Sequence, residues 1–311
     1  MTINRFPDLI QTVFTGNPLD RMDNVRMDSA QIDAWLDSDD SRVMILQDGR
    51  PLVDEYGDLA WLSMRKLRWV PLIEQIFLGI DRRTGKDEAR FAACVSQGAE
   101  EALSGHFTDL REMATTYDHA HPDLAIIAQA KSMLTWHESH SHCSNCGEAS
   151  EMVRAGYERR CQSCDTNHFP RTDPVVIMLA IHEESDSILV GSPHHLPENL
   201  YTALAGFMEP GENIEEAVAR ELHEESGVET TQIKYVASQP WPYPSSLMIG
   251  CHALVKSRDL VMDAEELADL KWMSRSEAEQ SFAGLDPATI FPPQLAIAHQ
   301  LVSVWLDKTD L

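Results

Sequence analysis

The sequence contains no apolar segment long enough to span a membrane. Its longest uninterrupted apolar run, Val175 to Ile181, falls far short of the ~20 residues a membrane helix needs. The first residues, MTINRFPDLIQ, lack the basic start and long apolar stretch of a signal peptide. The expectation is therefore a cytoplasmic protein. Positive charge is also scarce: 25 Lys and Arg stand against 50 Asp and Glu, a formal charge of −25. Such a surface repels nucleic acid and anionic membranes unless a basic patch or bound cations offset it. No run of Lys and Arg does so. The plain consequence is solubility; the sharper one is that a phosphate-bearing ligand must be met by metal ions. Cysteine is sparse, at six residues. Cys94 and Cys251 stand alone in apolar surroundings, as reduced core residues do. The other four form CSNC and CQSC, a pairing that in a cytosolic chain favours metal over disulfides.

What is present suffices for a packed core. Hydrophobic residues make up 43% of 311, enough for about two domains of ~150 residues with a small module between them. No internal repeat or low-complexity tract is evident. Residues 1–137 read as an α+β domain. SRVMILQDGRPLV is a strand, a turn at Asp48-Gly49 and a second strand. LIEQIFLGID is a further apolar segment, and DLAIIAQAKSMLTWHESH carries Leu124, Ile127, Ala128 and Leu134 at helical spacing. Residues 138–170 hold the paired cysteines. In residues 171–311, PVVIMLAI, SILVGS, YTALAGF, QIKYVAS, SLMIGCHALV and LKWMS read as strands. Asn213 to Ser226 reads as a helix, and PPQLAIAHQLVSVWL as a closing one. Strands with helices on their faces make this part a compact α/β sandwich.

The cysteine spacing is Cys143-x2-Cys146, fourteen residues, then Cys161-x2-Cys164. Four thiolates close a tetrahedral shell with no position left for water, so a structural Zn2+ is expected. Two redox dithiols would instead accompany a βαβ pattern that is not seen here. His137, His140 and His142 lie close by in sequence and are read as solvated or supporting groups. Zinc ribbons occur in nucleic-acid proteins, but the basic residues such a role wants are missing around this one.

The segment GFMEPGENIEEAVARELHEESGV, Gly206 to Val228, poses the main question. Asn213 is a good N-cap, Glu216 completes a capping box, and Gly227 ends the helix. At ~100° per residue from Ile214, Val218 falls near ~40°, Leu222 near ~80° and Ala217 near ~300°. Glu221 (~340°) and Glu225 (~20°) intrude into that apolar stripe, and Glu224 (~280°) flanks it. Bare carboxylates so placed cost several kcal/mol each unless paired. One arginine, Arg220, cannot neutralise three acids, whereas Mg2+ favours carboxylate oxygens.

The same segment resembles the Nudix box at each defining position: Gly206, Glu212, Arg220-Glu221-Leu222, Glu224-Glu225 and Gly227-Val228. The resemblance implies an α/β/α sandwich that hydrolyses a nucleoside diphosphate linked to another moiety, with Mg2+ or Mn2+. It implies that Arg220 and Glu212 organise the loop–helix–loop. Glu221, Glu224, Glu225 and the carbonyl of Ala205 would hold metal. The general base varies across the family.

A second stretch, SQPWPYPSSLM, Ser238 to Met248, is similar to the SQPWPFPxS array of the NADH pyrophosphatase branch, with Tyr243 in place of Phe. That resemblance, with the zinc module just upstream, spans roughly residues 120–305. Three prolines stiffen the loop, and its rings can stack on a base. The resemblance implies substrate contacts from Gln239, Pro240, Trp241, Pro242, Tyr243, Pro244, Ser245 and Ser246, with further contacts from Phe169 and Ala298. It also implies a metal ligand at Glu266. The fold expected is α/β: a Nudix α/β/α sandwich at the C-terminus, a small zinc ribbon in the middle and an α+β N-terminal domain. The function implied is hydrolysis of NADH, and of NAD+, to nicotinamide mononucleotide and AMP by a homodimer, with removal of NAD caps from RNA ranked second. The rivals are another Nudix substrate, such as ADP-ribose or a dinucleoside polyphosphate, and a zinc-ribbon nucleic-acid-binding protein.

Overall fold

The computed structural model of the protein describes residues 10–118 and 121–307. Its Cα positions group into two compact units. The first comprises Phe14–Thr172 together with Trp241–Ser245, and the second comprises residues 10–13, Asp173–Pro240 and residues 246–307.

In the first unit, strands β1 (Arg42–Gln47), β2 (Arg50–Val53), β3 (Trp61–Leu62), β4 (Leu72–Asp81), β5 (Glu88–Val95) and β6 (His106–Phe107) form one sheet. Its order is β4-β5-β1-β2-β6, with β3 also paired to β1. The β1–β2 hairpin turns at Asp48 and Gly49, whose φ values of 49° and 72° are the two positive angles a two-residue hairpin turn requires. Helices α1 (Ser29–Leu36), α2 (Leu110–Thr116) and α3 (Pro122–Ser139) complete this part. Phe77 anchors its core between Trp35 and Phe91, with ring centroids 5.4 and 5.3 Å away. A second, three-stranded sheet, β7 (Ser150–Val153), β8 (Glu158–Cys161) and β9 (Asn167–His168), carries the cysteines. It meets β4 at Gly156, where φ is +100° and a Cβ would lie 2.5 Å from an Ile76 methyl, so no larger residue fits.

In the second unit, strands β10 (Asp173–His182), β11 (Ser187–Pro193), β12 (Leu204–Phe207), β13 (Thr230–Trp241), β14 (Ser246–Val255) and β15 (Leu267–Ser274) run in the order β13-β14-β10-β11-β15. β12 pairs with β10. The helices are α4 (Ile214–Ser226), α5 (Arg275–Phe282) and α6 (Ile297–Asp307). Central strand β10 explains the long apolar run. Val176, Met178 and Ala180 pack with Ala217, Val218 and Leu222 of α4. Ile177, Leu179 and Ile181 pack on the other face with Ile297, Leu301 and Trp305 of α6. A strand covered on both faces needs apolar residues at every position, not at alternate ones.

Two expectations are corrected. The sequence shows no internal repeat, yet the two large sheets share one pairing scheme. In each, a central strand pairs antiparallel with the next strand and with a third, and parallel with a fifth; the fourth strand pairs with the fifth, and the sixth with the second. Pairing topology tolerates wholesale side-chain replacement, so periodicity does not record it. Secondly, YTALAGF is strand only over Leu204–Phe207, because the Tyr201 and Thr202 N–H groups bond to Ile290 and Gly191 carbonyls instead. The closing helix likewise begins at Ile297 rather than at the prolines. Helix α5 is additional; its signal was Ser274-x-x-Glu277, a capping box that both hydrogen bonds complete.

Candidate active site

The four cysteines converge. Their Sγ atoms all lie within 4.8 Å of one another, with Cys143–Cys164 at 3.6 Å and Cys146–Cys161 at 3.5 Å. Tetrahedral ligation at ~2.3 Å per Zn–S bond needs S–S separations of ~3.8 Å, so the cluster fits zinc. The Thr166 hydroxyl and Asn145 amide lie 3.2 and 3.6 Å from Cys164 Sγ. Their hydrogen bonds lower the pKa of its thiol, which favours the thiolate that binds metal. His168, which the spacing did not single out, brings Nε2 to 3.3 Å from Cys143 Sγ. His137 is not available to a metal: Nε2 meets the Gly156 carbonyl at 2.8 Å and Nδ1 meets Arg159 at 3.0 Å. His140 and His142 engage Ser139 and Ser141.

In the second unit the glutamate helix is built as its sequence suggests. Asn213 and Glu216 exchange both capping-box bonds, at 2.8 and 2.9 Å, and Gly227 closes α4 at φ 71°. Glu225 is 5% exposed, whereas the Glu224 side chain is 57% exposed. Gly206 leaves the room Glu221 occupies, because a Cβ there would sit 2.0 Å from the Glu221 carboxyl carbon.

Arg220 pairs with two of the three acids of the helix, Glu221 and Glu224, and not with Glu225. Arg220 reaches Glu212, Glu221 and Glu224, at 2.9 Å for the last two, and also donates to the Phe207 carbonyl at 2.9 Å. These bonds and the Glu209 N–H hold Glu212 down to about 2. Glu225 is left out. Its Oε1 is buried with no hydrogen-bond partner. Burial first, then the charges of Glu266 and Glu221, push its carboxyl up to about 8, against a hydrogen bond from the Ala205 N–H. Burial also raises Glu221, with Arg220 opposing. Glu225, Glu266 and Ala205 line one cleft of about 470 Å³, with His194, His195 and Glu265 on its wall. An orphaned buried carboxylate beside further acids suits a divalent cation with oxygen ligands. The residues that could hold one are Glu225, Glu266, the Ala205 carbonyl and, by leaving Arg220, Glu221 and Glu224.

Comparison with known proteins matches three models in chain order. Residues 40–136 match an NADH pyrophosphatase-like rudimentary NUDIX domain, residues 138–169 an NADH pyrophosphatase zinc ribbon domain, and residues 171–292 a NUDIX domain. The chain belongs to the Nudix superfamily, in its zinc-ribbon NADH pyrophosphatase family. The human NAD-capped RNA hydrolase NUDT12 is 43% identical over 193 residues, 59% of this chain and 42% of that protein. The human mitochondrial NAD(P)H pyrophosphatase NUDT13 is 35% identical over 67% of this chain and 62% of its own length. The NAD-capped RNA hydrolase NudC of Mycobacterium bovis is 29% identical over 92% of each. The chain thus spans under half the length of the first curated relatives it matches.

The remaining Nudix-family positions fall into separate groups. Gln239 is 1% exposed. Its amide nitrogen donates to the Leu295 and Val13 carbonyls at 2.8 and 3.2 Å, and its oxygen accepts from the Ile297 N–H at 2.9 Å. Both of its amide hydrogens are engaged within the protein, so here it braces the start of α6. Ala298 is 2% exposed in the same helix. Trp241, Pro242, Tyr243, Pro244 and Ser245 cluster with the first unit. Trp241 packs between Phe14 and Tyr243, with centroids at 6.2 and 5.2 Å. Arg111 lies 3.9 Å over the Tyr243 ring, while the Tyr243 hydroxyl is buried without a partner. Pro240 and Ser246 flank this stretch on β13 and β14. Phe169 is 60% exposed, and so is Phe207, at 61%, an aromatic the sequence reading passed over.

Proposed function

We propose that the chain hydrolyses the pyrophosphate bond of NADH, and of NAD+, to nicotinamide mononucleotide and AMP. The single observation that carries this is the buried Glu225 carboxyl, its Oε1 without a partner, beside Glu221 and Glu266 in a NUDIX domain. Bound Mg2+ or Mn2+ would neutralise the diphosphate and lower the pKa of the attacking water. The chain's own residues do the rest. Arg220 ties Glu212, Glu221 and Glu224 to one guanidinium and fixes the loop to the helix. The Ala205 N–H orients Glu225. The exposed rings of Phe169 and Phe207 are each free to stack on a base, and Trp241, Tyr243, Pro240, Pro242, Pro244, Ser245, Ser246 and the Ala298 backbone are further proposed substrate contacts. The four cysteines hold a structural Zn2+.

The relatives' names support this choice of substrate over ADP-ribose or a dinucleoside polyphosphate. They also favour a second reading, removal of NAD caps from RNA, since two of the three are NAD-capped RNA hydrolases. A homodimer in the cytoplasm completes the proposal. Among the described residues no helix is long and apolar enough to cross a membrane.

The test is chromatographic analysis of NADH, NAD+ and ADP-ribose turnover with Mg2+ or Mn2+. Wild type should release nicotinamide mononucleotide and AMP in equal amounts. Glu225→Gln and Glu224→Gln should lower kcat, the former at least about 100-fold, in keeping with loss of a metal ligand or base. Faster turnover of ADP-ribose than of NADH would overturn the substrate assignment, and full activity in Glu225→Gln would overturn the site.

A further inference from the structure

The shared pairing scheme of the two large sheets makes their connections comparable. In the second unit the link between the third and fourth strands, Phe207 to Thr230, carries the glutamate helix. In the first unit the matching link, Leu62 to Leu72, is a short 3-10 turn over Met64–Leu67. Its sequence is SMRKLRWVP, residues 63–71: where one unit has acids, the other has Arg65, Lys66 and Arg68 and no acid at all. All three are exposed, and Trp69 beside them is 88% exposed. The Lys66 and Arg68 side chains make no hydrogen bond or ion pair among the described residues. Arg65 contacts Asp39 at 2.8 Å, with both side chains mostly solvated; such a pair is worth at most about 1 kcal/mol and yields readily to another anion. Leu67 (2% exposed) and Val70 (7%) pin the turn to the core, so the cations and the ring are displayed on an ordered support. The expectation that no basic segment offsets the acidic surface missed this one, since it is short, three cations in four residues, and only the fold shows that all three are exposed.

We propose that Arg65, Lys66, Arg68 and Trp69 form a docking surface for single-stranded nucleic acid. The cations meet consecutive phosphates and the indole stacks on an unpaired base, the combination that sequence-tolerant single-strand binding requires. In a protein of charge −25 such a patch selects where a polyanion lands. The surface holds phosphates directly, where the glutamate helix suits them only through metal. It stands apart from the hydrolytic reading, because the contact needs neither cap nor divalent ion.

The test is fluorescence polarisation of a labelled, uncapped 12-nucleotide oligouridylate without added divalent metal, across a salt series. Wild type should bind and show Trp quenching. Arg65→Glu, Lys66→Glu and Arg68→Glu combined should weaken binding at least tenfold. The same variant should flatten the log–log salt slope by about 2, at ~0.7 per phosphate contact. Trp69→Phe should lose most of the quenching, and Trp69→Ala should weaken binding about tenfold. NADH turnover by these variants should equal wild type, which shows that they fold. No binding by wild type, or equal binding by all variants, would overturn the proposal. So would a shift of the variants from dimer to monomer on gel filtration with binding unchanged, which would make the patch a contact between copies. Patch-dependent binding in a protein that fails to cleave NADH would leave this inference standing and sink the hydrolytic one.

Discussion

Glu225 concentrates the chemistry of this protein in one side chain. A carboxyl raised from 4.5 to about 8 in the fold binds more protons folded than unfolded between those values. Stability of the metal-free protein should therefore fall as pH rises across that window. Metal must displace the proton, so apparent Mn2+ affinity should increase with pH and level off near pH 8. Isothermal titration of Mn2+ at pH 6, 7 and 8 checks this, and a pH-independent affinity would contradict it. Gly206 is coupled to the same group of acids. Gly206→Ala should push the Glu221 carboxylate aside and lower kcat at least about tenfold with little change in melting temperature, since the clash is with a flexible side-chain end. At Tyr243 the opposite kind of change is expected. Its hydroxyl is buried without a partner, so Tyr243→Phe should stabilise the protein by about 1 kcal/mol in urea unfolding.

The cysteine strands and the glutamate helix are held by different means. Sheet β7–β9 is only three short strands, too small to form a core of its own, and it leans on the metal cluster and on the Gly156–Ile76 contact. Cys161→Ser should release the bound zinc, read by metal analysis, and lower the melting temperature. Helix α4 is held by packing: Ala217, Val218 and Leu222 are fully buried against β10. Leu222→Ala should cost about 2–5 kcal/mol. It should weaken activity only by lowering the folded fraction, because Leu222 is not among the residues that line the cleft beside Glu225.

For the molecule as a whole, charge is the governing property. At −25 the surface repels a dinucleotide that is itself anionic, and salt screens that repulsion over ~10 Å at 0.1 M. The KM for NADH should thus fall as ionic strength rises from 10 to 150 mM at saturating metal, by about two- to threefold, while kcat stays constant. The topological echo between the two units fits the same picture. One unit carries the acids that suit metal, and the other has a short turn in the matching link and displays cations there.

The sequence by itself determined whatever depends on short-range order. The capping box and helix span at Asn213–Ser226, the Asp48-Gly49 hairpin, the cysteine spacing and the placing of Glu221 and Glu225 within the apolar stripe were all legible, because each is set by residues within a few turns of one another. Tertiary structure alone decided the rest. It set which acids Arg220 satisfies and which one it leaves bare. It turned Gln239 inward onto the start of α6 and brought His168 to the cysteines. It also revealed that two sheets of unlike sequence share one pairing order. Those outcomes depend on groups far apart in the chain competing for the same hydrogen bonds and the same space, a competition that no local pattern encodes.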